Sequence, residues 1–336
     1  MIDTKYVTVS AEQPDDEVVS EAARMLDRGG LVAFPTETVY GLGADAFSDS
    51  AIRKVFDAKG RPADNPLIVH IADTTSLTSI SASFPEIGLT LARTFWPGPL
   101  TLVVQRTNRV SDLVTAGLDS VAVRMPNHPV ALSLIRKLGR GIVAPSANIS
   151  GGPSPTTARH VYDDLNGRID FILDAGATKI GVESTVLDIT LTPPVILRKG
   201  GLSKEAIEAV VGQVDSDAGS EILKRSPGNR YKHYSPRASI RLVKEGNLEE
   251  LSRIVQDEVV STKNIGCILH SIPDRHFGPN VIVRRIASDV EQISHMLFDL
   301  LREFDKCGVD IIIVEEVEDK GLGTAVMDRL RRASAS

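Results

Sequence analysis

Residues 120–148 read SVAVRMPNHPVALSLIRKLGRGIVAPSAN. An apolar run at 120–125 precedes a helical pattern at 129–138, and a second apolar run follows at 141–145. Short buried strands that alternate with amphipathic helices are typical of α/β folds. This stretch therefore predicts a strand–helix–strand unit within an α/β protein.

The same alternation extends in both directions from this stretch. Predicted strands cover 31–35, 66–71, 100–106, 171–175, 184–189 and 195–199, and predicted helices cover 15–28, 49–59, 85–95, 157–166 and 203–211. Asp49 is the expected cap of its helix. Several strands, notably the last two, follow one another with no helix between them. Because parallel neighbours need a long crossover, we expect a twisted mixed sheet with flanking helices rather than a regular doubly wound sheet.

A polar segment divides the chain into two predicted domains. Residues 213–238 lose the alternation and are rich in Gly, Ser, Asp, Pro and basic residues. A second rhythm then predicts strands at 239–244, 264–269, 280–286 and 310–317, and helices at 247–261, 289–307 and 322–333. We predict a first domain at 1–212, a basic linker or lid at 213–238, and a smaller Rossmann-like three-layer α/β domain at 239–336.

Composition excludes several classes of protein. The net charge of −6 and the aromatic content of 4% disfavour a protein that grips nucleic acid by bulk charge and stacked bases. Two isolated cysteines, Cys267 and Cys307, cannot form a zinc site or a disulfide framework, and Cys267 is expected to be a buried thiol. The N-terminus lacks a signal-peptide pattern, and no apolar run reaches the roughly 20 residues that span a bilayer. We expect a cytoplasmic protein.

Familiar catalytic motifs are missing from the sequence. It contains no GxxxxGK[ST] phosphate loop, no complete GxGxxG, no GxSxG and no HExxH. Polar residues instead follow predicted strands at four places. The first is PTETVYGLG at 35–43, where hydroxyls precede two glycines that could let the backbone approach a ligand. A Thr-rich turn explains this segment equally well.

The second segment, KGRPADNPLIVH at 59–70, carries two cations. The dipole of the preceding helix accounts for Lys59, but Pro62 keeps Arg61 out of that helix. A Lys–Arg pair of this kind could clamp phosphates.

Two further segments point to anion binding. In SVAVRMP, alternation sends Val121 and Val123 to one face of the strand and Arg124 to the other, where Arg124 needs either a protein carboxylate or an anionic ligand. In APSANISGGPS, Ser146 and Asn148 lie two residues apart at a strand end, before a Gly-Gly turn whose N–H groups could face an anion.

Together these segments resemble a known family. PTETVYGLG, KGRP, NPLIVHI, SVAVRMP, APSANISGGPSPT, GVESTVLD and ILRKGG occur in the order and spacing of the YrdC-like domain. The linker SPGNRYKHYSP at 226–236 and the trailing α/β unit are similar to those of two-domain threonylcarbamoyl-AMP synthases. The resemblance covers nearly the whole chain and implies a nucleotidyltransferase.

The resemblance also implies the site residues. The family's Lys-x-Arg and Ser-x-Asn signatures correspond to the catalytic residues Lys59, Arg61, Ser146 and Asn148. The residues implied around L-threonine are Thr38, His70, Arg124, Ala144 and Ser184. Those implied around ATP are Arg61, Asn65, Ser120, Ser146, Ser154, Arg198 and Tyr234.

The implied reaction joins L-threonine, carbon dioxide or bicarbonate, and ATP to give threonylcarbamoyl-AMP and pyrophosphate. This is the first step of N6-threonylcarbamoyladenosine formation in tRNA, and a transferase complex that acts on tRNA would take the product. No protein nucleophile is needed, so the missing motifs are no objection. Mg²⁺ would enter with ATP, and no protein metal site is expected.

Two other functions compete with this interpretation. A double-stranded-RNA or tRNA-binding translation factor would use a positive cleft, but the acidic balance disfavours it, and we expect no stable nucleic-acid or membrane binding. A carbamoyltransferase of hydrogenase maturation carries a similar domain together with Cys-rich zinc modules. Two isolated cysteines exclude that arrangement here.

Overall fold

A computed structural model describes residues 2–216, 219, 222, 234–260, 263–273 and 275–335. The chain divides into two compact units. The first comprises Met1–Ser150 and Ser154–Tyr231, and the second comprises Gly151–Pro153 and Lys232–Ser336. The switch at 231–232 falls outside the described residues, as do 223–233 of the predicted linker or lid. The domain boundaries drawn from the sequence therefore stay predictions.

In the part of the chain that the structure describes, the first unit is built on a mixed sheet of eleven strands. These are β1 Lys5–Thr8, β2 Val32–Phe34, β3 Gly41–Asp45, β4 Ile68–His70, β5 Ser81–Ser83, β6 Leu100–Arg106, β7 Ser120–Arg124, β8 Ile142–Val143, β9 Phe171–Asp174, β10 Thr185–Asp188 and β11 Val195–Arg198. Their order is β1-β9-β2-β3-β8-β4-β7-β6-β10-β11, and β5 pairs with β6. The last two strands are antiparallel, so the mixed sheet predicted from the sequence is confirmed.

Helices flank this sheet. They are α1 Asp16–Asp27, α2 Asp49–Lys59, α3 Leu77–Ile80, α4 Glu86–Phe95, α5 Asp112–Thr115, α6 Pro129–Leu138, α7 Ala158–Leu165 and α8 Lys204–Val211, with a 3₁₀ turn at Thr74–Ser76. The longer helices begin and end within about two residues of their predicted bounds. The N-cap of α2 is Ser48, whose hydroxyl accepts the N–H of Ala51, so the prediction of Asp49 as the cap is wrong. Asp49 is the first helical residue, where its charge favours the helix dipole.

The two faces of the central strands differ in chemistry. Val121 and Val123 of β7 point into the main apolar core of the unit. Ala122 points to the opposite face, where it packs in a smaller apolar cluster with Ile68 of β4. Arg124 shares the face of Ala122 because side chains alternate along a strand. This second face of the sheet carries most of the candidate site described below.

The glycines of the Thr-rich segment lie in a strand, not in a loop. Gly41 and Gly43 belong to β3, which was not predicted. A Cβ on Gly43 would lie 2.9 Å from Phe34 and 3.0 Å from Ile142. At Gly41 a Cβ would come within 3.2 Å of Ala144. Both glycines therefore let neighbouring strands pack closely, a role that the sequence pattern did not reveal.

The second unit has its own four-stranded parallel sheet. Its strands are β12 Ser239–Val243, β13 Ile265–Leu269, β14 Val281–Arg285 and β15 Ile311–Glu315, in the order β12-β15-β13-β14. Its helices are α9 Leu248–Val260, α10 Val290–Cys307 and α11 Gly323–Ser334. The predicted three-layer α/β unit is confirmed, because α9 packs on one face of the sheet and α10 on the other.

A single close contact fixes α10 on this sheet. The ring of Phe304 lies over Gly266 of β13, where an added Cβ would come within 2.7 Å of it. The neighbouring Cys267 faces the α9 side and is fully buried, as predicted. Burial raises the pKa of its thiol to about 12, so the group is an unreactive core residue.

The first unit extends beyond α8. Val214 is buried in the main core, and the N–H of Ile196 donates to the carbonyl of Asp215. Both residues fall within the predicted linker, yet they pack against the first unit. No helix in the described part of the chain is long and apolar enough to span a membrane.

Candidate active site

The two predicted catalytic signatures meet around one ammonium group. Lys59 is the last residue of α2 and is 2% exposed. Its Nζ donates to the carbonyls of Ser146 (2.6 Å) and Asn148. The hydroxyl of Ser146 in turn donates to Oδ1 of Asn148 at 2.6 Å. Lys59 therefore holds the Ser-x-Asn loop in shape, in addition to any charge it supplies to a ligand.

The loop after α2 presents a second cation and an amide. Nη2 of Arg61 donates to the carbonyls of Asn65 (3.3 Å) and Pro66 (2.9 Å), which folds the loop back on itself. The side chain of Asn65 is completely buried. Neither its Oδ1 nor its Nδ2 has a hydrogen-bond partner among the described residues. Buried amides are rarely left unpaired, so Asn65 is well placed to bind a polar ligand.

Arg124 at the end of β7 has a carboxylate partner in the protein. Its Nη2 lies 2.7 Å from Oε1 of Glu37, and both side chains are nearly fully buried. Nη1 donates to the hydroxyl of Thr38 at 3.0 Å, and Nε donates to the carbonyl of Gly98 at 3.2 Å. Of the two partners left open by the sequence, the protein carboxylate is present. The role of Arg124 in threonine binding stays a prediction.

His70 lies directly beside Arg124 across the sheet. The two residues are register partners of β4 and β7. Burial, together with the positive charges of Arg124 and Arg198, lowers the pKa of His70 to about 3. The imidazole is therefore neutral at physiological pH. Its Nδ1 is 3.3 Å from the carbonyl of Ile68, so Nδ1 carries the proton and Nε2 is an acceptor.

A third polar group extends this cluster along the same edge of the sheet. Thr101 of β6 is the register partner of Arg124, and its hydroxyl shares a 2.8 Å hydrogen bond with Ser184. Arg198 donates from Nε and Nη2 to the carbonyl of Ser184, and from Nη2 to its hydroxyl at 3.1 Å. Arg198 and Ser184 are thus in direct contact, and Thr101 joins Ser184 to the strand that pairs with β7 at Arg124. The assignment of Ser184 and Arg124 to L-threonine and of Arg198 to ATP stays a prediction.

The remaining predicted residues of the first unit are also buried. Ser120 begins β7 on the face that carries Arg124. Ala144 follows β8, and its N–H donates to Ile68. Ser154 donates to the carboxylate of the buried Glu183.

Tyr234 is placed in the second unit. Its ring is 5% exposed and stacks on Phe298 at 5.7 Å between ring centroids. The guanidinium of Arg329 lies 4.8 Å from the centroid of the Tyr234 ring. The predicted contact of Tyr234 with ATP stays a prediction.

Three polar residues of this cluster were not assigned from the sequence. Glu37, Thr101 and Glu183 are all buried and contact predicted site residues. Glu37 and Glu183 stood within quoted motifs, and an acidic residue between apolar or hydroxyl neighbours is the signal that could have marked them. Thr101 carries no such signal, because a threonine in a buried strand is ordinary.

Comparisons with known proteins show which family the chain belongs to. A family model described as telomere recombination matches residues 24–200, and one described as threonylcarbamoyl-AMP synthase, C-terminal domain, matches 202–335. The threonylcarbamoyl-AMP synthase of Pyrococcus abyssi is 47% identical over 96% of both chains. The chain belongs to the threonylcarbamoyl-AMP synthase family. The enzyme of that name from Bacillus subtilis is 45% identical over 98% of this chain and 96% of its own length.

A solved structure covers both units. The crystal structure of P. abyssi Sua5 complexed with L-threonine superposes with a TM-score of 0.91 and 45% identity, covering 99% of this chain and 97% of that one. The family, the fold class and the threonylcarbamoyl-AMP synthase function predicted from the sequence are confirmed. The alternative of an RNA-binding translation factor finds no support among these relatives.

Proposed function

We propose that this protein condenses L-threonine, carbon dioxide or bicarbonate, and ATP into threonylcarbamoyl-AMP and pyrophosphate. One observation carries the proposal at the level of chemistry. Among its described residues, the first unit buries four cationic side chains, those of Lys59, Arg61, Arg124 and Arg198, each at most 8% exposed. Such a concentration of buried positive charge suits anionic ligands, and the triphosphate of ATP and the carboxylate of an amino acid are anions of this kind.

The amino-acid subsite is proposed around Arg124 and His70. Arg124 would bind the substrate carboxylate in a bidentate or paired contact. His70, neutral and with Nε2 as an acceptor, suits the side-chain hydroxyl of threonine. A lysine or a protonated histidine at this position would instead add a further charge beside the arginines. The neutral imidazole thus favours a hydroxy amino acid.

The nucleotide subsite is proposed around Lys59, Arg61 and Asn65, with Ser120, Ser146, Ser154, Arg198 and Tyr234 as the further residues that the family resemblance implies. The carbamate oxygen of N-carboxy-threonine attacks the α-phosphorus of ATP, the new P–O bond forms, and the bond to pyrophosphate breaks. Mg²⁺ would accompany ATP through its triphosphate. The protein contributes by positioning the two reactants and by stabilising negative charge on the phosphates.

The product is a mixed anhydride that water hydrolyses readily. We propose that it passes to a transferase complex that acts on tRNA, and that the protein works in the cytoplasm. Binding of this protein itself to nucleic acid is not required for that role.

The test is a product analysis with labelled bicarbonate. Purified protein, ATP, Mg²⁺, L-threonine and ¹³C-bicarbonate should give pyrophosphate and a labelled threonylcarbamoyl-AMP by mass spectrometry. L-Serine lacks one methyl group and should react about 10–200-fold less efficiently in kcat/KM. Equal rates with serine, glycine and threonine, or pyrophosphate release without threonine, would contradict the proposed substrate.

A further inference from the structure

A buried carboxylate with unused hydrogen-bonding capacity lies beside Arg124. Glu37 is 5% exposed, and its Oε1 lies 2.7 Å from Nη2 of Arg124. Neither carboxylate oxygen accepts a hydrogen bond from any group in the described part of the chain. Such oxygens normally accept several hydrogen bonds when buried. Glu37 therefore offers acceptor positions to a ligand that brings N–H donors.

The position of Glu37 is well defined. Its carbonyl accepts the N–H of Ile180 at 2.8 Å, and the carbonyl of the next residue, Thr38, accepts the N–H of Gly181 at 3.1 Å. Thr38 also accepts a hydrogen bond from Arg124. The backbone on both sides of the carboxylate is thus tied to a neighbouring segment, and the side chain is held against the guanidinium.

Arg124 retains capacity for a second anion. Its hydrogen bonds to Gly98 and Thr38 use two of the five N–H groups of its guanidinium, and Nη2, although it lies 2.7 Å from Glu37, has no hydrogen-bond partner among the described residues. One N–H on Nη1 and the N–H groups of Nη2 remain for a substrate carboxylate.

The charges around this pair favour a zwitterion. An α-amino acid carries its ammonium and carboxylate groups on one carbon atom, so a site of cations alone would repel the ammonium group. Arg198 adds positive charge near His70. His128 also interacts electrostatically with Glu37. It adds no positive charge at neutral pH, because burial lowers its pKa to about 4. Glu37 is the negative group that offsets the arginines.

We infer that Glu37 is the subsite for the ammonium group of the amino-acid substrate, next to the carboxylate subsite of Arg124. The inference rests on the proposed function and deepens it. In this arrangement Arg124 faces the carboxylate of the substrate, and Glu37 faces its ammonium group. Glu37 would then select amino acids over hydroxy acids of the same shape.

The test compares two ligands that differ only in the amine. (R)-3-Hydroxybutyrate keeps the carboxylate, hydroxyl and methyl groups of L-threonine and lacks its ammonium group. Calorimetric titration of the full-length wild-type protein should show that threonine binds about 10- to 100-fold more tightly than (R)-3-hydroxybutyrate. In Glu37→Gln, a neutral isostere, threonine affinity should fall by about the same factor while the affinity for (R)-3-hydroxybutyrate is unchanged or higher. Glu37→Asp keeps the charge and should retain part of the preference.

The outcomes separate the possible roles. Equal loss of both ligands in Glu37→Gln would mean that Glu37 only positions Arg124, and the inference would be wrong. Equal wild-type affinity for the two ligands would also overturn it, without need of any variant that folds poorly. If the wild type forms product but Glu37→Gln keeps its preference for threonine, the inference fails and the proposed function stands. If the wild type neither binds threonine nor forms product, both the inference and the proposed function are wrong.

Discussion

At the scale of single residues, the buried charged side chains of the candidate site are fixed by contacts with other groups of the protein. Lys59 is tied to backbone carbonyls, and Arg124 to a carboxylate and a hydroxyl, so both proposed ligand-binding groups are held in position by the protein itself. Preorganised donors of this kind stabilise developing charge without reorganisation during the reaction. The same positive charges disfavour a further positive charge, so the neutral His70 buried beside them resists protonation.

The lowered pKa of His70 should make the free energy of unfolding depend on pH. Its pKa is about 3 in the folded protein against an ordinary value of 6.5. Between these values the unfolded chain binds more protons, so the free energy of unfolding falls as the pH drops from 6.5 towards 3 and is fully retained above 6.5. We expect this residue to account for about 2 kcal/mol of stability lost between pH 7 and pH 5.

The measurement is urea denaturation at pH 7 and pH 5, followed by the fluorescence of Trp96. This is the one tryptophan of the chain, and it lies in the core of the first unit. His70→Gln should reduce the difference in unfolding free energy between the two pH values. Replacement of the exposed His276 by glutamine is the control and should leave that difference as in the wild type. An unchanged difference in His70→Gln would contradict the assigned pKa shift.

At the scale of elements, glycines decide how closely strands and helices approach. Gly43 makes room for Phe34 and Ile142 within the first sheet, and Gly266 makes room for Phe304 of α10 in the second. Protein interiors are packed as densely as organic crystals, so an added methyl group at such a position displaces its neighbours. Gly266 allows the clearer test because a single aromatic ring fills the space.

Gly266→Ala should destabilise the second unit by about 1–3 kcal/mol, since its Cβ would collide with the Phe304 ring. Phe304→Leu alone should also be destabilising, because it leaves a cavity. The double variant should be less destabilised than the sum of the two single variants, because the smaller side chain relieves the collision. Thermal unfolding followed by circular dichroism gives the three values. Strict additivity would show that α10 does not pack on Gly266 as described.

At the scale of the whole molecule, the chain forms two units that each have their own sheet and core. The first unit contains every predicted site residue except Tyr234. It does not end with α8, because Val214 is buried in its core and Asp215 pairs with β11. A fragment of the first unit should therefore be more stable when it includes Val214 and Asp215.

A fragment of residues 1–216 should fold and unfold cooperatively, and a fragment of residues 1–212 should be less stable by about 2 kcal/mol or more. The shorter fragment loses the burial of Val214 and the backbone pairing of Asp215 with Ile196. Urea denaturation followed by Trp96 fluorescence compares the two. Equal stability would mean that the segment after α8 contributes nothing to the first unit.

The sequence by itself determined the long elements, the two α/β units and the family. Helical and strand periodicity are local properties, which is why α6 and β6 were predicted to the residue. The order of the motifs along the chain is also a property of the sequence, and this order marks Lys59, Ser146 and Arg124 as candidate site residues. The apolar alternation in β7 correctly separated its core face from its site face.

The tertiary structure decided which polar groups meet. The ion pair of Glu37 with Arg124 and the hydrogen bond of Thr101 with Ser184 join residues more than 80 positions apart. Sequence spacing carries no record of such pairs, since they arise only when strands from distant parts of the chain are placed side by side. The strand β3 was missed for the same reason. Its two glycines are typical of a loop by local propensity, and only the packing of Phe34, Ile142 and Ala144 against them makes a strand the better conformation.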